Sequence, residues 1–243
     1  MPVHMKYIYL TLVLSTIIFE TAAQDTKTAV YLIPGQGSDH RLFQDFELGD
    51  SYNIRFINYS VPDEGMSMSD YAQTLSSQID TGHPFILIGV SLGGMLSVEL
   101  SELYSPEKVI IISSAKSRNE LPARYRFQDD VPLYELVSGE ISKKGALLLQ
   151  PIVEPDRNKQ KDIFVSMLND KDPDFLKRTI AMIIEWDRTS SSDQIIHIHG
   201  DNDHTIPVRN VKYDYLIEGG SHMMALTRSK EISALILKIL NEN

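Results

Sequence analysis

The chain has no cysteine. Disulfide staples, thiolate nucleophiles and cysteine-ligated metals are therefore excluded, and any chemistry must come from oxygen and nitrogen groups. Positive charge is scarce: 23 Lys and Arg stand against 33 Asp and Glu, for a net charge of −10. No basic face is available to neutralise phosphates, so nucleic acid is not an expected partner. Internal repeats and low-complexity stretches are missing as well. Long apolar runs are confined to one place, Tyr7 to Phe19, so no other stretch suits a bilayer span.

That run follows Met1 to Lys6, which carry one lysine and no acid, and precedes the small residues Thr21-Ala22-Ala23. A basic start, a short apolar core and a small-residue exit are the layout of a secretory signal peptide. The expectation is cleavage after Ala23, export to the periplasm or the medium, and no stable membrane span in the mature protein. The run is also short of the roughly 20 residues a spanning helix needs. No cysteine follows it, so a lipid anchor is excluded.

What remains, residues 24–243, suffices for one α/β domain with its own core. Its chemical centre is Gly89-Val90-Ser91-Leu92-Gly93, which follows the apolar strand Phe85–Ile88 and opens a helix. Gly-x-Ser-x-Gly between strand and helix is a nucleophile elbow, a crowded turn that lifts a serine above the sheet edge. The crowding requires small residues at 89 and 93. The N–H of Leu92 would point where an oxyanion forms.

In chain order, Thr28–Ile33 reads as a buried strand ending at Pro34-Gly35-Gln36-Gly37, where glycine lets backbone approach a ligand. Residues 53–61 alternate as a second strand, and Ser67 or Ser69 can cap a helix to about Ile79. The helix after the elbow ends near Tyr104, and Val109–Ile112 is a short, fully buried strand of the kind parallel sheets use. From about 116 to 193 the pattern turns helical and proline-punctuated, with candidate helices at 131–138, 143–149, 159–169 and 174–186. This block is too long for a loop and reads as a cap inserted over the carboxyl edge of the sheet. Arg118, Arg124 and Arg126 stand among acids near its start and read as solvated. Residues 194–199 resume the sheet, 211–217 form a final strand, and a helix with Ile232, Leu235, Ile236, Ile239 and Leu240 on one stripe closes the chain.

A serine nucleophile needs an imidazole base, and the base needs a carboxylate. Seven histidines are present. His4 leaves with the leader, His40 and His83 sit in turns, and His197 and His199 share one face of a strand and read as core. His222, after Gly219-Gly220 and between strand and helix, is the best base. Asp201 and Asp203 both follow a strand end and compete as its partner.

Together these motifs resemble the α/β-hydrolase superfamily, in particular its small capped serine hydrolases with esterase-like activity. The stretch His199-Gly200-Asp201-Asn202-Asp203-His204-Thr205-Ile206-Pro207 is similar to the family's acid loop, which implies Asp203 rather than Asp201 as the triad acid. The order Ser91, Asp203, His222 is the family's order. The oxyanion loop of the family often begins His-Gly; here it is Pro34-Gly35, and the resemblance implies that Gln36 and Leu92 donate the oxyanion N–H groups.

The resemblance further implies an α/β-hydrolase fold, a mostly parallel doubly wound sheet with the helical cap inserted, and no cofactor or metal. The expected reaction is cleavage of a small-molecule acyl ester through an acyl-enzyme. A thioesterase or amidase would use the same groups. A cofactor-free lyase or perhydrolase, or a ligand-binding receptor that keeps the triad, are further readings of the same chain. Haloalkane chemistry is disfavoured, because it needs a carboxylate where Ser91 stands.

Overall fold

In the computed structural model, residues 27–130, 140, 144, 156 and 159–242 are described. The proposed leader, the candidate helix at 131–138 and, apart from Lys144, the candidate helix at 143–149 lie outside the described residues.

Six strands form one parallel sheet: β1 (Thr28–Ile33), β2 (Tyr52–Phe56), β3 (Phe85–Val90), β4 (Lys108–Ile112), β5 (Ile195–Gly200) and β6 (Tyr215–Ile217). Their spatial order is β2-β1-β3-β4-β5-β6, and every neighbouring pair is parallel. The order reverses direction between β1 and β3, where the carboxyl ends of two adjacent strands open a crevice suited to ligands. In register, Ile33 lies beside Gly89 and Val90 beside Ile112. The loops after β1 and β3 therefore emerge side by side.

Alternating strand residues divide the core in two. Tyr31, Ile33, Leu87, Val109 and Ile111 face α1 (Met68–Leu75) and α2 (Leu92–Leu103). Val30, Leu32, Ile88, Ile110 and Ile112 face the carboxyl-terminal helices. Ser67 caps α1 by accepting from the Asp70 N–H at 3.1 Å, which settles the choice between Ser67 and Ser69.

Between β4 and β5 the described residues include α3 (Ala123–Asp130), α4 (Lys161–Asn169) and α5 (Pro173–Ile184). Asp172 caps α5 by accepting from the Asp174 and Phe175 N–H groups, and Pro173 occupies its first turn, where a missing N–H costs nothing. Phe175, Leu176, Thr179 and Ile183 make a buried stripe at helical spacing. The chain ends in α6 (Met224–Thr227) and α7 (Ser229–Asn241), with Ile232, Ile236 and Ile239 packed on the sheet. Among the described residues no helix is long and apolar enough to cross a membrane.

Two strands are shorter than their hydrophobic patterns. β2 stops at Phe56, and beyond it the Asn58 N–H donates to Gln78 Oε1, a side chain in place of a ladder partner. The last strand begins at Tyr215 rather than Val211. Val208–Asn210 is a 3-10 turn, and the Lys212 N–H donates to Glu120 Oε1. Arg118 also departs from the solvated reading: its guanidinium donates to the Ile184 and Trp186 carbonyls.

Candidate active site

Ser91 is the hinge residue between β3 and α2, with φ 53° and ψ −119°. A side chain seldom adopts this left-handed φ, and its neighbours hold it there. The Ser91 N–H donates to the Ile112 carbonyl, and the Ser114 hydroxyl donates to the Ser91 carbonyl. The tightness of the turn explains its glycines. A Cβ on Gly89 would sit 2.2 Å from the Gly93 carbonyl oxygen, and one on Gly93 would sit 2.1 Å from that of Ile33. Neither backbone can yield, so both positions exclude any side chain.

His222 arrives from the loop after β6 and Asp203 from the loop after β5. The Ser91 Oγ lies 3.0 Å from His222 Nε2, and His222 Nδ1 lies 2.8 Å from Asp203 Oδ2. The structure thus brings together three side chains separated by up to 131 residues in sequence. Asp203 is buried, and its other oxygen, Oδ1, accepts the N–H groups of Thr205 and Ile206, each at 2.8 Å. Burial pushes this carboxyl up, but the charge and hydrogen bond of His222, the nearby His199 and the Ile206 N–H together hold it below the usual carboxylate range. Asp201 serves elsewhere: its Oδ1 accepts the Gly219 N–H at 2.6 Å and shapes the loop that carries His222.

Leu92 is the first residue of α2, so its N–H has no acceptor within the helix. Gln36 follows β1 and lines the same cavity as Ser91. Its loop is braced by the Tyr59 hydroxyl, which donates to the Pro34 carbonyl at 2.5 Å. Desolvation raises that phenol well above its ordinary value, so it stays a donor.

The cavity has a volume of about 420 Å³, within the range of about 300–1,000 Å³ usual for small-molecule sites. Ser91 and His222 line it. Leu121, Phe164, Leu168, Leu176, Ile180 and Ile183, all from the segment between β4 and β5, supply much of the apolar wall. Arg124 also borders it, with its guanidinium donating to the Thr205 carbonyl, so it too is engaged rather than merely solvated.

A buried feature beside Asp203 has a chemistry that strand alternation alone does not reveal. His197 and His199 are fully buried, and they form a line from the Lys212 carbonyl through His197 Nδ1, His197 Nε2, His199 Nδ1 and His199 Nε2 to the Ile206 carbonyl, with contacts of 3.0, 3.0 and 2.8 Å. Two neutral imidazoles carry two N–H groups for these three bridges. Burial holds both rings below the ordinary histidine value, His197 well below. Three other described histidines lie apart from this line: His40, which opens a 3-10 helix, and His83 are exposed, and His204 is exposed with its ring against Asn202 Oδ1. Among the described residues no group of three or more His, Asp or Glu side chains could hold a metal ion.

Solved structures of similar fold match this chain over most of its length. An esterase from Thermogutta terrifontis, solved with malate bound, is 15% identical with a TM-score of 0.61, covering 88% of this chain and 90% of that one. The chain has the α/β-hydrolase fold. An enol-lactonase from Burkholderia xenovorans shares this fold at 12% identity and a TM-score of 0.65, covering 89% of this chain and 92% of its own. So does an esterase from Exiguobacterium antarcticum, at 15% identity and 0.65, covering 89% and 93%. A family described as an uncharacterised protein family (UPF0227) matches residues 48–129, from before β2 into α3. No curated protein matches the chain in sequence.

Proposed function

We propose that the protein is a serine hydrolase that cleaves carboxylic esters with apolar acyl groups through an acyl-enzyme. The observation that carries this reading is the pair of contacts Ser91 Oγ to His222 Nε2 at 3.0 Å and His222 Nδ1 to Asp203 Oδ2 at 2.8 Å, with Ser91 and His222 lining a largely apolar cavity. The contact distances fit nucleophile, base and orienting acid.

In this reading the Ser91 hydroxyl donates its proton to His222 Nε2 as Oγ attacks the ester carbonyl. Asp203 holds the Nδ1–H tautomer and stabilises the imidazolium. The N–H groups of Leu92 and Gln36 receive the oxyanion, and losing one such donor typically costs about 3–4 kcal/mol of transition-state stabilisation. Collapse of the tetrahedral intermediate breaks the ester C–O bond, and the imidazolium returns its proton to the departing alcohol. Water, deprotonated by the same imidazole, then releases the acid and restores Ser91. The segment at 116–193 acts as a cap whose helices line the acyl site.

A fluorophosphonate probe with mass mapping of the adduct tests the proposal. Labelling at Ser91 that vanishes in Ser91→Ala is expected, and labelling that survives the substitution would reject this nucleophile. Turnover on matched oxygen esters, thioesters and amides decides the bond, with esters expected to lead. The proposal includes export, with residues 1–23 removed as a signal. The intact mass of the secreted protein is then expected to begin at Gln24.

A further inference from the structure

The segment between β4 and β5 does more than border the cavity. The Gln36 side-chain amide reaches across to α5, where Nε2 lies 3.0 Å from the Leu176 carbonyl and 2.8 Å from Thr179 Oγ1. The chemistry of the two acceptors fixes which end of the amide faces them. A carbonyl can only accept, and the Thr179 hydroxyl spends its proton on the Phe175 carbonyl at 2.7 Å. Both therefore need donors, and the amide nitrogen has two.

A second link runs parallel to the first. Tyr59, whose hydroxyl holds Pro34, stacks on Phe175 of α5 with ring centroids 5.2 Å apart. The loop Pro34-Gly35-Gln36 is thus tied to α5 at both of its ends. The same helix turns Leu176, Ile180 and Ile183 to the cavity wall. One rigid element touches the site where an acyl chain would lie and the loop that carries an oxyanion donor.

We propose that Gln36 is a positioning residue through which α5 sets the oxyanion loop, so that an acyl chain filling the cavity raises kcat as well as affinity. This rests on the hydrolase reading above. Apolar burial against Leu176, Ile180 and Ile183 seats α5, and α5 seats the side chain of Gln36, the residue that donates the second oxyanion N–H in that reading. Binding energy from the unreactive end of the substrate is then expressed at the reacting carbonyl.

The test measures kcat and KM separately for acetyl, butyryl and hexanoyl esters of one alcohol, in the full chain and in Thr179→Val. In the unaltered protein kcat is expected to rise with chain length, by up to about four-fold per methylene, the value of burying one CH₂. Thr179→Val removes one acceptor without touching the triad or the cavity wall. It is expected to leave kcat on acetyl ester unchanged and to flatten kcat against chain length, while KM still falls. Thr179→Ser, which keeps the oxygen, is expected to restore the slope. Gln36→Met keeps the reach of the side chain without its N–H groups, and its slope of kcat against chain length, expected to flatten likewise, is the readout should Thr179→Val not fold. Combining it with Thr179→Val is expected to change the slope no further, as for two ends of one contact.

An unaltered slope in both single variants would overturn the inference, as would a chain-length effect confined to KM in the unaltered protein. Failure of Ser91 to label would overturn the hydrolase reading and the inference with it. Labelling with an unaltered slope would overturn the inference alone.

Discussion

His199 Nε2 stands 3.6 Å from Asp203 Oδ2, the oxygen that also faces His222 Nδ1. The acid of the site therefore sits between two imidazoles, one open to the cavity and one sealed in the core. The sealed ring anchors the loop, because its Nε2 meets the Ile206 carbonyl while the Ile206 N–H donates to Asp203 Oδ1. Replacing His199 with Ala would empty a packed position and strand the Ile206 carbonyl and His197 Nε2. A loss of about 2–4 kcal/mol is expected, from a cavity plus unmet polar groups. Urea unfolding monitored through Trp186 would measure it, and a loss below 1 kcal/mol would show that the line of bridges is not structural.

Acid lability follows from the same groups. His197 and His199 have folded values below the ordinary 6.5, so the unfolded chain binds more protons than the native one as pH falls through that value. Stability is then fully present above about 6.5 and lost progressively below it. The slope is about 1.4 kcal/mol per pH unit for each ring that remains neutral in the fold. The carboxyls of Asp203 and Glu99, both held below their ordinary values, extend the loss below about pH 4 in the same direction. Free energies of unfolding measured from pH 8 to pH 4 check this, and a flat profile between 6.5 and 5 would contradict it. His197→Phe, which retains a buried ring without a titrating group, is expected to reduce the slope in that interval.

Much of the site was legible because its constraints are local. Gly89 and Gly93 are dictated by backbone oxygens that a Cβ would meet at 2.2 and 2.1 Å, and such crowding leaves a sequence signature that survives without any neighbour in view. Three central strands were legible for a related reason: Val30 to Ile33, Ile86 to Ile88 and Ile110 to Ile112 are buried on both faces, and a run of apolar residues records that. Over residues 57–61 and 211–214 an apolar pattern does not report ladder pairing: the Asn58 N–H donates to Gln78 and the Lys212 N–H to Glu120, and Val61 and Tyr213 are exposed. The clamp of Gln36 on α5 and the meeting of His199 with Asp203 lay out of reach. A glutamine or an in-strand histidine carries no local mark of the partner that the fold supplies.

Glu99 illustrates a signal that was present but unread, a lone acid in the buried face of α2. Its carboxylate accepts from Trp186 Nε1 at 2.7 Å and from Arg188 Nε and Nη2 at 2.7 and 2.9 Å. Burial pushes the carboxyl up, and Arg188 with Trp186 more than offsets it. These bonds fasten the return from α5 to the sheet's helical layer. Arg188→Met would leave Glu99 charged, buried and short of two donors. Breaking such a pair costs about 3–5 kcal/mol when fully buried; with Arg188 partly exposed, about 2–3 kcal/mol is expected. Glu99→Gln with Arg188→Met is expected to recover part of it, and thermal melts of the single and the double variant would read the difference.

The sharpest functional contrast lies between Asp203 and Asp201, two residues apart on one loop. Asp203 Oδ1 takes two backbone N–H groups, from Thr205 and Ile206. An asparagine at 203 must keep its carbonyl oxygen there, which aims its amide N–H₂ at His222 Nδ1. A donor in that place forces Nδ1 to accept and moves the ring proton to Nε2, where it can no longer receive the proton of Ser91. Asp203→Asn is therefore expected to lower kcat by about 10⁴-fold with the fold intact, as a wrong-tautomer substitution does. Asp201→Asn keeps an oxygen for the Gly219 N–H and leaves His222 untouched, so its kcat is expected to stay close to that of the unaltered protein. Steady-state rates on one ester, with melting curves to show both variants folded, test the pair. Equal rates for the two, or a larger loss at 201, would remove Asp203 from the mechanism.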